Sequence, residues 1–251
     1  MGDKYTCYGV PAETTGRQWR DGVTVEELAK SYLAKIKKIQ EDGPYSLAGW
    51  SLGGLLAYET AKQIEAEGDE VNMLALIDSS HPGMHKHLQT PDEAEIESFR
   101  RQLEGALPAF EWITGLRDET TLYGLYKKLA RHMEESGLGY EALEALVPVD
   151  IMRAIPAYAQ RNTNDFYHYV NLFLDLQNAY VHYNPARKVF AQAYLIKAAE
   201  SRGVEANGWN AFFYRPVIFR EVEGDHYSVF REPDLAGLAE VFETVGVQDT
   251  E

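Results

Sequence analysis

The sequence predicts an α/β fold with a mostly parallel central sheet and a large helical insertion. Residues 45–77 show a strand, a helix and a strand in succession, and such a βαβ unit makes two parallel strands. Helical periodicity and dense tyrosines dominate 81–188, and strand character returns at residue 189. We therefore expect a core formed by 1–80 and 189–251, with 81–188 inserted as a helical lid.

Local signals predict the elements of the first part of the chain. Thr24 is a favourable N-cap, and Glu27 completes a capping box for a helix over 24–40. The apolar run from Val71 to Ile77 has the length and composition of a buried parallel strand. The other elements predicted here are strands at 5–10 and 45–49 and a helix at 52–66.

The second part of the chain is predicted to be mainly helical until the core resumes. Apolar residues recur at helical spacing in four stretches, which are 92–106, 118–135, 150–160 and 164–182. Strands at 189–196 and 216–222 and a last helix at 235–245 then complete the core.

Composition excludes several classes of function. Hydrophobic residues make up 45% of the 251 residues, which is enough for a packed core. The net charge of −15 disfavours nucleic acid and anionic membranes as partners, and it also disfavours an acidic carrier protein unless basic residues cluster locally. The single cysteine, Cys7, allows neither an intrachain disulfide nor a cysteine-built metal site. We expect a cytoplasmic protein, since a single cysteine fits a reducing compartment, no apolar run reaches the roughly 20 residues of a membrane span, and the first residues lack a secretory apolar segment.

The segment from Gly49 to Gly53 reads Gly-Trp-Ser-Leu-Gly and matches the pattern G-x-S-x-G. In this pattern the serine, here Ser51, occupies a sharp turn between a strand and a helix, which exposes its hydroxyl. Side chains two residues before and after the serine would collide, so we expect glycine to be required at both positions. The N–H of Leu52 opens the helix and is the natural first oxyanion donor. The alternative is a glycine-rich turn with an incidental serine.

Asp78 and His226 are the candidate acid and base. Asp78 ends a predicted strand, and parallel sheets place their chemistry at such carboxyl ends. His226 follows the last strand, so the order serine, acid, histidine matches that of hydrolases with this serine motif. Glu200, which follows the strand ending at Ile196, is the competing acid, whereas the side chain of Asp225 diverges from its neighbour His226. The alternatives are a turn-capping Asp78 and an ordinary loop histidine.

A metal site is not expected. His81, His85 and His87 cluster after the candidate acid, but Pro82 and Gly83 indicate an irregular loop there.

These motifs resemble the thioesterase domains of nonribosomal peptide and polyketide synthases, which have the α/β-hydrolase fold. The most specific block runs from Gly43 to Gly54 and reads Gly-Pro-Tyr-Ser-Leu-Ala-Gly-Trp-Ser-Leu-Gly-Gly. The resemblance continues in Ala57–Glu59, Leu76–Ser79, Gly224–Tyr227 and Arg231–Pro233, and the predicted helix at 24–40 fits the segment before the nucleophile.

The resemblance implies that Ser51, Asp78 and His226 act on an acyl chain carried as a phosphopantetheine thioester by a carrier protein domain upstream in a synthase. The chain would be released by hydrolysis or macrocyclisation, with no cofactor of the domain's own. In terminal, product-releasing domains the acid directly follows the next strand, as Asp78 does, whereas editing thioesterases hold it nearer Glu200. An editing thioesterase, another serine esterase and a truncated domain that binds without turnover stay open as alternatives.

The resemblance also implies an earlier strand with a His-Pro and glycine-rich loop, which donates the second oxyanion N–H. Residues 5–10 resemble a later strand, so we expect the core to lack its first strand or to have diverged there. His81-Pro82-Gly83 looks similar to the loop, but it follows the acid and cannot be that loop by its order in the chain.

Aromatic side chains of the motif and the insertion are candidate contacts for the acyl chain. These are Trp50, Tyr158, Phe166, Tyr169 and Phe173. The alternative for each insertion residue is ordinary packing between helices.

Overall fold

The structure is a computed structural model. It describes residues 6–11, 23–84, 96–98, 101, 118–137, 152–153, 155, 163–201 and 204–245. The chain forms two compact units, the first comprising Met1–Glu13, Val23–Met84 and Tyr183–Glu251, and the second comprising Thr14–Gly22 and His85–His182. The predicted helices at 92–106 and 150–160 lie largely outside the described residues.

The first unit contains a sheet of four parallel strands, paired in chain order. The strands are β1 (Tyr45–Trp50), β2 (Val71–Ile77), β3 (Gln192–Ala198) and β4 (Ile218–Val222). In the register of the sheet, Trp50 lies opposite Ile77, which lies opposite Ile196. The carboxyl ends of β1, β2 and β3 therefore meet at one edge, and the residues that follow these strands lie close together there.

The described helices of eight residues or more begin and end close to their predicted bounds. These helices are α1 (Val25–Ile39), α2 (Leu52–Glu67), α3 (Leu122–Ser136), α4 (Thr163–His182) and α6 (Leu235–Val245). The short helix α5 (Ala206–Asn210) was not predicted. The capping box of α1 is present, since Thr24 Oγ1 accepts from Glu27 N at 3.2 Å and Thr24 N donates to Glu27 Oε2 at 3.1 Å. None of the helices described is long and apolar enough to cross a membrane.

Apolar side chains fill the space between the sheet and its helices in the first unit. The helix α2 packs on β1 and β2, and α6 packs on β4. The cluster between the sheet and α6 includes Ile77 and Ile196 on the strands and Leu238 on the helix, each at most 5% exposed. Burying a side chain of this size stabilises the fold by about 1.5–3 kcal/mol, so the strands that carry the site are held by a rigid core.

In the second unit, α3 and α4 pack against each other. The carboxylate of Asp175 lies between them and accepts hydrogen bonds from Tyr123 Oη at 2.6 Å and from Lys127 Nζ at 3.1 Å. A buried carboxylate such as that of Asp175 is costly unless it is paired, and these two donors supply the pairing. The role of these helices as a lid stays a prediction.

The predicted strand at 5–10 is not found in the residues described, because Thr6 to Val10 are irregular. Tyr8 is 67% exposed, so burial does not stabilise an extended conformation here.

The strand β3 begins three residues later than the apolar pattern predicts. Val189 makes only an isolated bridge with Phe213. The amides of Phe190 and Ala191 donate to the carboxylate of Glu65 instead of a neighbouring strand. A side chain of α2 thus takes the place of a strand at this edge, and sequence alternation cannot reveal such a contact.

Candidate active site

Ser51 occupies the turn between β1 and α2 in a backbone conformation that is rare for residues with side chains. Its φ is 54° and its ψ is −124°. Three hydrogen bonds hold this peptide: Ser51 N donates to Ile77 O at 2.9 Å, and Ser51 O accepts from Gly54 N at 3.0 Å and from Ser79 Oγ at 2.7 Å. The sharp, strained turn predicted from the motif is therefore present.

The turn depends on a different pair of glycines from the one predicted. A Cβ on Gly49 would lie 2.0 Å from Gly53 O, so Gly49 is required, as predicted. A Cβ on Gly53 would meet nothing within 4 Å, so the predicted need for glycine there is wrong. A Cβ on Gly54 would lie 2.4 Å from Ser79 Oγ. The backbone of Gly53 and the side chain of Ser79 approach closely, and Gly49 and Gly54 make room for them.

The structure brings Ser51, Asp78 and His226 together at the carboxyl edge of the sheet. His226 Nε2 lies 3.0 Å from Ser51 Oγ, and His226 Nδ1 lies 2.6 Å from Asp78 Oδ2. A carboxylate can only accept, so Nδ1 carries the proton and Nε2 is free to accept from the serine hydroxyl. This is the arrangement that a general base for the Ser51 hydroxyl requires.

Asp78 is a buried carboxylate with a complete set of donors. Oδ1 accepts from Ala198 N at 3.0 Å, and Oδ2 accepts from Ser201 Oγ at 2.5 Å as well as from His226. Burial by itself raises the pKa of the Asp78 carboxyl, but the hydrogen bonds from His226, Ser201 and Ala198 together hold that pKa below its ordinary value. Asp78 is therefore ionised at neutral pH and able to hold the imidazole.

The competing acids lie elsewhere. Glu200 is exposed, and its backbone N–H donates to Gly224 O at 3.0 Å, which ties the turn after β3 to the loop after β4. Asp225 Oδ1 accepts from the amides of Tyr227 and Ser228 at 2.7 and 2.8 Å and so holds the backbone that leads into the 3₁₀ turn Ser228–Phe230. The geometry places Asp78, rather than either of these carboxylates, against the imidazole.

A family model of thioesterase domains matches residues 5–227. The chain belongs to this family. It is 30% identical over 235 residues to a nonribosomal peptide synthetase of Aspergillus terreus, covering 88% of this chain and 23% of the relative. It is 27% identical over 245 residues to a chondramide synthase of Chondromyces crocatus, covering 95% of this chain and 6% of the relative. The chain thus spans less than a quarter of the length of these curated relatives.

Comparison with solved structures confirms the α/β-hydrolase fold predicted for this chain. A nocardicin-cluster thioesterase domain, in covalent complex with a fluorophosphonate nocardicin G analog, superposes with a TM-score of 0.54 at 21% identity, covering 89% of this chain and 75% of that one. The thioesterase domain that cyclises the lipopeptide surfactin superposes with a TM-score of 0.52 at 18% identity, covering 87% and 74%. At these identities the likeness establishes the fold.

Within this thioesterase-family domain, Trp50 packs against the loop that carries His226. Its Nε1 donates to His226 O at 2.9 Å, and its ring lies 4.8 Å from the imidazole at 32°. The rings of Tyr227 and Phe230 meet it edge-on at 5.8 and 5.6 Å. This support of the histidine loop was not anticipated from the sequence, and the predicted contact of Trp50 with the acyl chain stays a prediction.

The candidate contacts in the insertion divide into three groups. Phe166 is fully buried within the second unit, which favours helix packing over contact with an acyl chain. Tyr169 and Phe173 are half-buried, and their contact with the acyl chain stays a prediction. Tyr158 lies outside the described residues.

Three site residues were missed by sequence reasoning, namely Ser79, Ser201 and Trp209. Ser79 Oγ holds the carbonyl of Ser51, and the fully buried Trp209 donates from Nε1 to Ser79 O at 2.8 Å. The position of Ser79 directly after Asp78 is a signal that could have found it, and Ser201 adjoins the competing acid Glu200. Trp209 carries no such signal, because only the folded chain brings α5 to this turn.

Leu52 is the first residue of α2, directly after the serine. The first amides of a helix have no acceptor within the helix, and the helix dipole favours negative charge at this end. The position suits an oxyanion donor, which stays a prediction for Leu52.

Within the part of the chain that the structure describes, no group of three or more histidine, cysteine, aspartate or glutamate residues could hold a metal ion. His81 Nδ1 lies 2.9 Å from Pro82 O, and its ring stacks on Phe212. His85 and His87 lie outside the described residues.

Proposed function

We propose that this chain is a serine thioesterase that releases an acyl, peptidyl or polyketide chain from the phosphopantetheine arm of a carrier protein domain. The observation that carries the proposal is the continuous hydrogen-bonded series from Ser51 through His226 to Asp78 in a member of the thioesterase family. The lengths of its relatives, which are multidomain synthases, support a carrier domain upstream in a longer chain.

The first step transfers the acyl chain to the serine. His226 Nε2 takes the hydroxyl proton as Ser51 Oγ attacks the thioester carbonyl carbon. Asp78 keeps the proton on Nδ1 and stabilises the imidazolium, while the Leu52 N–H donates to the oxyanion. The carbon–sulfur bond then breaks, His226 returns its proton to the pantetheine thiolate, and an acyl ester on Ser51 remains.

The second step releases the product. Water or a nucleophile of the acyl chain itself attacks the ester, with His226 again as the base, to give an acid or a ring. One of the similar solved structures is a thioesterase domain that cyclises the lipopeptide surfactin, and this likeness motivates a search for ring products. Residues 81–188, acting as a helical lid, would select between the two by admitting or excluding water. No cofactor of the domain's own is needed, since the carrier supplies the phosphopantetheine.

The pairing of acid and base favours product release over editing. The editing interpretation places the acid near Glu200, which is exposed, whereas the imidazole is bonded to Asp78. The complete hydrogen-bonded series favours turnover over a domain that only binds acyl chains.

The nucleophile is tested by intact-protein mass spectrometry after exposure to a fluorophosphonate. We expect one adduct on the wild type and none on Ser51→Ala. Ser46→Ala, which changes an exposed serine on the same strand, is the matched control and should be labelled like the wild type. An adduct that persists in Ser51→Ala would overturn the assignment.

The substrate class is tested with an acyl-pantetheine thioester and the matching oxygen ester. Faster turnover of the thioester supports the proposal, and a preference for the oxygen ester would favour a general esterase. The mass of the product separates an acid from a ring, since the ring is lighter by one water.

A further inference from the structure

Ser201 reaches the site from the turn after β3. Its hydroxyl lies 2.5 Å from Asp78 Oδ2, the same oxygen that accepts the Nδ1 proton of His226 at 2.6 Å. The backbone N–H of Ser201 donates to Ala198 O at 3.0 Å, and Ala198 N donates to Asp78 Oδ1 at 3.0 Å. The last residue of β3 and this turn therefore hold both oxygens of the carboxylate.

Two physical effects follow from a hydroxyl at this position. A carboxylate can rotate about its bond to Cβ, and donors on both oxygens fix the plane in which Oδ2 meets the imidazole. Because Asp78 is buried, a hydrogen bond to its charged oxygen is strong, and it also withdraws charge from that oxygen. Ser201 and His226 thus share one acceptor oxygen. The hydrogen bond from the Ser201 hydroxyl reduces the negative charge that this oxygen offers to the imidazole.

We propose that Ser201 is a positioning residue for acyl transfer, whose hydroxyl fixes Asp78 Oδ2 against His226 Nδ1 and moderates the charge that this oxygen presents to the imidazole. The proposal rests on the function proposed above. It assigns a role to the turn after β3, where the sequence had offered Glu200 as an acid.

Ser201 can act on the imidazole of His226 through Asp78, because the other groups described around the ring make different contacts. Ser51 lies at Nε2, the Trp50 ring is 4.8 Å from the imidazole, and the Tyr227 ring meets it edge-on at 5.0 Å. The carboxylate of Asp225 accepts backbone amides of the 3₁₀ turn, and Glu200 is exposed. Of these carboxylates, Asp78 alone is bonded to the ring.

The test is the rate at which a fluorophosphonate labels Ser51 as a function of pH, because this rate does not depend on the identity of the acyl substrate. Ser201→Ala removes the hydroxyl and should lower the plateau rate about tenfold, as expected for a lost hydrogen bond to a charged group. It should also move the midpoint of the pH–rate curve to higher pH, because the less neutralised carboxylate holds the imidazole proton more tightly. Ser201→Thr keeps a hydroxyl and should restore both.

The control is Ser46→Ala, and thermal unfolding of each variant shows that it folds. A wild-type curve in Ser201→Ala would overturn the proposal. A slower rate without a shift of the midpoint would also overturn it, since loss of packing alone lowers the rate without moving the midpoint. If the wild type itself is not labelled, the proposed function fails, whereas a labelled wild type with unaffected Ser201 variants contradicts only the role of Ser201.

Discussion

At the scale of single residues, the site is defined by which carboxylate meets His226. Asp78 is buried and bonded to Nδ1, whereas Glu200 is exposed. Both follow strands of one parallel sheet, so both are plausible from the sequence. The choice between them is the basis on which we propose product release rather than editing.

We expect Asp78→Asn to lower turnover of a pantetheine thioester by about 10³–10⁴-fold, because the amide favours the wrong tautomer of His226. Glu200→Gln, the matched control in the turn after β3, should change turnover little. Steady-state kinetics on both variants provides the measurement, and the reverse ranking would identify Glu200 as the acid.

The lowered pKa of Asp78 also predicts a pH dependence of stability. An aspartate in the unfolded chain titrates near about 3.9, and the folded carboxyl titrates lower because of its three donors. Its contribution to stability is therefore fully present above about pH 4 and is lost as the pH falls through the folded value.

Urea unfolding between pH 7 and pH 2 should accordingly show a steeper loss of unfolding free energy below pH 4 in the wild type than in Asp78→Asn. If the unfolding free energies of the two proteins change in parallel with pH, the Asp78 carboxyl binds protons equally well in the folded and unfolded states, which would contradict the prediction.

At the scale of elements, the turn between β1 and α2 is stabilised by contacts from β2 and its following loop. Ile77 O accepts the amide of Ser51, and Ser79 Oγ donates to its carbonyl. The strain of the turn is therefore balanced by the neighbouring strand and its loop. Gly54 is required because Ser79 of that loop lies against it, and Gly49 is required because the turn brings Gly53 O close to it.

We expect three glycine variants to separate clearly. Gly49→Ala and Gly54→Ala place a Cβ 2.0 and 2.4 Å from existing atoms and should each destabilise the fold by about 1–3 kcal/mol and slow phosphonate labelling. Gly53→Ala meets free space on a helix and should leave labelling unchanged, with stability equal or up to about 1 kcal/mol higher. Thermal unfolding and labelling rates check this, and an inactive Gly53→Ala would contradict it.

At the scale of the whole molecule, the chain divides into a sheet-bearing unit and a second unit, which comprises Thr14–Gly22 and the longer segment His85–His182 between β2 and β3. The site residues Ser51, Asp78 and His226 all belong to the first unit. The residues proposed to carry the chemistry therefore all lie in one unit.

If the insertion acts as a lid, its amides should exchange with solvent faster than those of the core. We expect the amides of α4 to be less protected than those of β2, because segments that open are drawn from the less stable part of a fold. Hydrogen exchange read by mass spectrometry compares them within one sample. Equal protection would count against gating.

The sequence by itself determined the elements whose signals are local. The capping box of α1, the apolar run of β2 and the sharp turn at Ser51 each depend on residues a few positions apart, and all were predictable. The block from Gly43 to Gly54 also indicated the family, since its serine motif requires specific residues at fixed spacing.

Only the tertiary structure decided how the site is assembled. His226 lies 148 residues from Asp78 and 175 from Ser51, and Trp209 lies 130 from Ser79, so their contacts depend on strand register rather than on local pattern. The sequence favoured Asp78 over Glu200 as the acid, but only the folded chain shows that the turn after β3 directs Ser201, and not Glu200, toward the carboxylate of Asp78. Burial and hydrogen-bond partners are properties of the packed core, and residue order alone does not contain them.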